Sequence, residues 1–205
     1  MARLPVCLRA LHDCLQPLQQ MEQTGRVGSH FQGVGATGTA CRNGHCRFHT
    51  HQSSPLGGRR KRGAFLNAIG RSRGGRTSKI HALTDALGRP LEFCITPGNT
   101  HDLVGVECIL SRIPTPLKLI ADRAYDAKRL RNWLAERGSE SVIPPNPTRK
   151  HPHRYDPMAY KARNLIERMF CRLKDFRRIA TRYDKRLDTF ASAIYLAAAI
   201  IWWAN

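Results

Sequence analysis

The chain has 205 residues and a formal net charge of +19, from 34 Lys and Arg against 15 Asp and Glu. That surplus points to a polyanionic partner, nucleic acid first and an acidic membrane surface second. The seven Cys are odd in number and irregularly spaced, which argues against a disulfide framework and for a reducing, cytoplasmic setting.

The opening MARLPVCLRALHDCLQPL has its apolar run broken by Arg9, His12 and Asp13, so it does not read as a signal peptide. Residues 1–60 hold two acids, Asp13 and Glu22, with four of the seven Cys and five of the nine His. No helical or strand period is sustained there, and this stretch is expected to be a poorly ordered basic arm. GRRKRGAFLNAIGRSRGGRTS is a basic, Gly-rich lead-in that could follow phosphates or simply be a solvated loop.

From residue 61 the pattern of one domain sets in. KIHALTDALGRPLEFCITPG reads as two strands around a turn at DALGRP. HDLVGVECILSRI has helical spacing, with Asp102 suited to the first turn. LKLIADRAYDA is a short apolar strand ending at a carboxylate. AKRLRNWLAERG is an amphipathic helix stopped by Gly138, and ESVIPPN is a strand stopped by prolines. A basic loop, PTRKHPHRYDP, leads into YKARNLIERMFCRLKDFRR, read as one helix from Tyr160 to Arg178. TFASAIYLAAAIIWWAN is the longest uncharged apolar run. Its roughly 15 apolar positions fall short of the ~20 that span a bilayer, so it reads as a buried closing helix, with Trp202 and Trp203 in the core. The order from residue 78 is β-β-α-β-α-β-α-α, a mixed α/β core.

At about 100° per residue, Ala162, Leu165, Ile166, Met169, Phe170 and Leu173 form the core face of the Tyr160–Arg178 helix. Tyr160, Arg163, Glu167 and Lys174 share a stripe beside it. The plain reading of Glu167 is an i,i+4 ion pair with Arg163, worth a few tenths of a kcal/mol. The plain reading of Asp122, at the end of an apolar strand, is a helix cap. Asp126 is the better cap by position, which leaves Asp122 for a ligand site at the strand's C-terminal edge. Two carboxylates from separate elements of so basic a chain suggest a divalent cation that would act on a phosphodiester, Mg²⁺ or Mn²⁺.

Tyr160-x2-Arg163-x3-Glu167-x6-Lys174, ADRAYD, VIPP, FRRIATRYDK and the run GRSRGGRTSKIHALTDALGRPLEFCITPGNTHD resemble segments of the DDE transposases of bacterial insertion sequences, in the insertion-sequence four/five branch. The resemblance covers residues 61–205. It implies an RNase H-like mixed sheet flanked by helices, transposon-end and target DNA as partners, action as a homodimer on DNA, and Mg²⁺ or Mn²⁺ as cofactor. It also implies Asp122 and Glu167 as catalytic metal ligands, Arg163 and Lys174 as DNA-binding residues, and Tyr160 as support for the start of the helix.

The family's first Asp belongs on a strand before GRSRGG, yet no acid lies between Glu22 and Asp85. Asp85 sits in the expected hairpin turn and Asp102 at a helix start, so neither is nominated. The domain is therefore expected to lack a proper first strand, and activity is in question. A shifted reading frame over residues 1–60 would account for the loss. A basic DNA-binding remnant without catalysis and a generic RNase H-like nuclease are the alternatives. Cys41, Cys46, His49 and His51 form a tighter cluster than structural zinc sites use, and an accidental grouping is favoured over zinc.

Overall fold

The fold was analysed in a computed structural model that describes residues 45–55, 67–73 and 75–202, and residues 1–44 lie outside it. The elements run β1 (His45–Pro55), β2 (Gly70–Ser72), β3 (Gly75–Thr84), β4 (Pro90–Pro97), α1 (Asp102–Leu110), β5 (Lys118–Ala121), a 3₁₀ turn (Arg123–Tyr125), α2 (Lys128–Glu136), β6 (Glu140–Val142), α3 (Pro157–Lys161), α4 (Asn164–Lys174), α5 (Arg177–Ala180), β7 (Thr181–Arg182) and α6 (Leu187–Trp202).

β3 pairs antiparallel with β1 and with β4, while β5 runs parallel to β1 and β6 parallel to β5. β1 is thus the inner strand where the antiparallel and parallel halves of the sheet meet. β2 pairs the start of β3, and β7 pairs the end of β1. This is the expected RNase H-like mixed sheet with helices on both faces. One expectation is corrected: the first strand is present. It falls inside the stretch read as an arm, and what it lacks is a carboxylate. Its sequence, HCRFHTHQSSP, has only Cys46 and Phe48 as apolar residues before its final Pro, an alternation too short to betray a buried strand.

Strand alternation splits the apolar residues between two cores. Cys46, Leu83, Leu119, Ala121 and Tyr125 pack with Val106, Ile109 and Leu110 of α1 and Leu130 and Leu134 of α2. Ile80, Ala82 and Phe93 pack on the other face with Ile166, Met169, Phe170 and Leu173 of α4 and Phe190, Ile194, Ala197 and Ala198 of α6. Among the described residues no helix is long and apolar enough to cross a membrane. α6 buries one face only, since Leu196 and Ile200 are exposed.

Two local expectations change. The Tyr160–Arg178 segment is three pieces rather than one helix. Asp156 starts α3 by accepting from the N–H groups of Met158 and Ala159, with Pro157 in the first turn. Between α3 and α4 the bonds tighten to i→i−3, with Ala162 N–H to Ala159, Arg163 to Tyr160, Leu165 to Ala162 and Ile166 to Arg163. The cap roles of the two Asp residues are also exchanged. Asp122 caps the 3₁₀ turn, accepting from the N–H of Arg123 at 2.7 Å, while α2 starts at Ala127 without a side-chain cap. Asp126, its side chain 1% exposed, instead accepts from Arg131 Nε at 2.8 Å, Arg149 Nε at 3.0 Å and the Asn146 N–H at 2.8 Å.

Candidate functional site

Asp122 lies just beyond β5, the strand parallel to β1, where the sheet opens toward α3 and α4. Glu167 stands in the first turn of α4. A single side chain joins them: Arg163 Nη2 donates to Glu167 Oε1 at 2.7 Å, and Nη1 approaches Asp122 Oδ2 at 3.4 Å. The contact with Glu167 alone would be the ordinary i,i+4 helix pair. The contact with Asp122, 41 positions away in the chain, is what makes this a meeting point of two elements.

The 3₁₀-type turn explains the reach of Arg163. Residues three apart eclipse one another in such a turn, so Tyr160 and Arg163 leave the backbone side by side. The Arg163 guanidinium lies 5.6 Å from the centre of the Tyr160 ring, and the Tyr160 hydroxyl is 3.5 Å from Asp122 Oδ1. Tyr160 in turn meets Tyr155 edge-on at 5.8 Å. Burial pushes the Tyr160 phenol up, with Arg163 opposing and Asp122 adding to the rise. A groove of about 480 Å³ opens beside Asp122, lined by Arg123, Ala124, Pro144, Asn146, Tyr155 and Tyr160.

Lys174, the fourth member of the expected stripe, is not brought to the carboxylates. It is two turns beyond Glu167, about 10 Å along the axis, exposed, and its charge acts on His51. Asp85 closes the β3–β4 turn, accepting from the N–H groups of Leu87 and Arg89 and from Arg89 Nε, and takes no part. Asp102 pairs with Lys79 Nζ at 2.8 Å at the start of α1.

His49, which the sequence offered only as a member of the Cys-His cluster, is the residue whose place at this site was missed. The parallel ladder sets Phe48 opposite Ala121, so His49 is the β1 residue beside Asp122. Its ring meets Phe170, one turn after Glu167 on α4, at 5.8 Å. Burial lowers the His49 imidazole first and Arg163 second, while Asp122, Glu167 and Asp102 raise it. An imidazole therefore occupies the part of β1 that faces the two carboxylates. Only the register of β1 against β5 shows this, and register is not visible in a linear pattern.

A divalent cation fits this site in part. The two carboxylates already converge on one positive group, the Arg163 guanidinium, which stands where a cation's charge would be useful. Among the described residues no group of three or more His, Cys, Asp or Glu is placed to hold a metal ion. The zinc cluster is not assembled from what is described. Cys46 is buried in the α1/α2 core, whereas His49 and His51 flank Phe170 on the other face, and Cys41 lies outside the described residues.

Residues 47–202 match the profile of the family described as "Transposase DDE domain". The chain is 41% identical over 127 residues to the "Putative transposase for insertion sequence element IS6501" of Brucella ovis, covering 62% of this chain and 98% of that protein. It is 30% identical over 212 residues to the "Putative transposase for insertion sequence element IS402" of Burkholderia cepacia, covering 96% of this chain and 95% of that one. The HTLV-2 integrase catalytic core domain aligns in space with a TM-score of 0.48 and 11% identity, over 80% of this chain and 90% of the other.

Proposed function

The chain belongs to the transposase DDE domain family, and on that footing we propose that it cuts and joins DNA phosphodiesters at the ends of an insertion sequence, with Asp122 and Glu167 holding a divalent cation. The observation that carries the reading is the meeting of those two carboxylates, from the end of β5 and from α4, on the one guanidinium of Arg163. A bound Mg²⁺ or Mn²⁺ would supply a water of lowered pKa and would neutralise charge on the phosphodiester.

The remaining chemistry falls to the chain's own side chains. The Asp122 cap to Arg123 fixes one carboxylate oxygen toward its own turn and leaves the other facing α4. Arg163 is placed to take a non-bridging phosphate oxygen, for which a planar guanidinium is well suited. Tyr160 holds the Arg163 side chain along its ring. Lys174, exposed two turns on, would meet the duplex backbone farther along. Cutting two ends calls for two copies on DNA.

A second reading is favoured by one observation: β1 brings His49, not a carboxylate, to the side of Asp122. A site with two carboxylates instead of three holds a cation more weakly, and such a chain binds DNA without cutting it.

The test is cleavage of duplex DNA carrying the element's ends, with Mg²⁺ and then Mn²⁺. Asp122→Asn and Glu167→Gln each lower the rate at least about a hundred-fold, the size expected when a charge-stabilising group is lost, while DNA binding persists. Cutting that survives Glu167→Gln removes Glu167 from the site. Binding that fades with salt, with no cutting by the unaltered chain, establishes the second reading.

A further inference from the structure

Arg163 does more in this structure than a DNA-contacting residue requires. It is half-buried, with a side-chain exposure of 21%, and it faces two carboxylates that are themselves partly open, at 37% for Asp122 and 46% for Glu167. Its reach is set by the tightened turn and by the Tyr160 ring, so its position does not depend on a ligand. A guanidinium paired with two carboxylates competes with any other cation for the same oxygens. Arg123, the other cation next to Asp122, is exposed and gives that carboxylate its backbone N–H.

We propose that Arg163 is a built-in counter-cation that holds the Asp122–Glu167 site closed to metal until DNA draws it away. A phosphate oxygen entering the groove competes for the guanidinium. As Arg163 moves to the phosphate, the two carboxylates lose their neutralising partner and become acceptors for a divalent ion. DNA and metal then bind with positive coupling: each raises the affinity for the other by the same factor, as linkage demands. The chain is thereby protected from loading metal, and from unguided hydrolysis, in the absence of DNA. This inference rests on the reading of Asp122 and Glu167 as the cation ligands.

The experiment is a titration of the full chain with MnCl₂, followed by the electron paramagnetic resonance of free Mn²⁺, with and without a short DNA duplex of mixed sequence. Without duplex, Arg163→Gln binds Mn²⁺ more tightly than the unaltered chain, on the order of ten-fold, the scale of two partly exposed ion pairs. Duplex tightens Mn²⁺ binding to the unaltered chain and leaves the variant unchanged. Arg163→Lys, which keeps the charge and loses the fork that spans both carboxylates, falls between the two. Thermal unfolding of both variants confirms that they are folded. The proposal is overturned if Arg163→Gln binds Mn²⁺ no more tightly than the unaltered chain, or if duplex leaves Mn²⁺ binding to the unaltered chain unchanged. Cleavage plays no part in the readout, so a chain that never cuts DNA still decides the matter. If Asp122→Asn and Glu167→Gln both leave Mn²⁺ binding intact, the fault lies in the assignment of the ligands.

Discussion

Gly105 lies where α1 crosses β3, and a Cβ built there would stand 2.3 Å from the ring of His81. His81 has no exposed surface and no room to retreat, because Thr50 Oγ1 holds its Nδ1 at 2.8 Å and Thr96 Oγ1 holds its Nε2 at 2.7 Å. Gly105→Ala therefore either moves α1 off the sheet or breaks those bonds, at a cost of about 2–3 kcal/mol in stability. A lower urea midpoint with an unchanged slope would show it, whereas an unchanged midpoint would mean that α1 shifts freely. In the sequence this glycine looks like a weak point in a helix, and its reason is legible only from the packed ring. The same holds for Asp122 and Asp126. Proximity to α2 favoured Asp126 as the cap, but both of its carboxylate oxygens are taken, by Arg131, by the Asn146 N–H and by Arg149, which arrives from a loop 23 positions on.

Among the elements, β3 is the one that ties the two halves of the buried polar chemistry together. Thr96 on β4, His81 on β3, Thr50 on β1 and Tyr125 in the 3₁₀ turn form one chain of hydrogen bonds across the sheet. Tyr125 immediately precedes Asp126 and closes the turn that Asp122 caps, so this chain also steadies the site. Burial holds the His81 imidazole down at about 4, with Asp102 raising it and Lys79 lowering it. The folded pKa is below the ordinary value of 6.5, so the fold prefers the neutral ring and the unfolded chain binds the extra proton. The stabilisation is complete above pH 6.5 and is lost as pH falls from 6.5 through about 4, by an amount of order 3 kcal/mol. Burial holds His51 at about 4 as well, and it adds in the same direction. Urea midpoints between pH 7.5 and 4.5 measure the slope; His51→Gln should remove up to about half of it and leave the His81 contribution, and a flat profile would contradict the buried neutral ring. The order of elements after residue 78 was legible because apolar residues mark each strand and helix. The tightening between α3 and α4 was not, since Ala162 and Arg163 are good helix formers and nothing local calls for a break.

For the molecule as a whole, the question is where the folded unit starts. A change of pattern near residue 60 suggested a domain from residue 61, but the sheet says otherwise. β1 pairs with β3 along Arg47–Ser53, with β5 along His45–Phe48 and with β7 at Ser54 and Pro55. Without it the inner edges of β3 and β5 lie open, a state that invites aggregation. Cys46 leaves one core, and His49 and His51 leave Phe170 on the other side. Buried Arg182 would lose the register of β7 against Ser54 and Pro55, although its bonds to the carbonyls of Asn67, Ala68, Asp184 and Lys185 would remain. A fragment of residues 61–205 is therefore expected to give no cooperative unfolding transition and to aggregate, while residues 41–205 keep a single transition. Circular dichroism during thermal unfolding separates the two outcomes. A cooperative transition from the shorter fragment would mean that β1 is dispensable, and with it the placement of His49 beside Asp122.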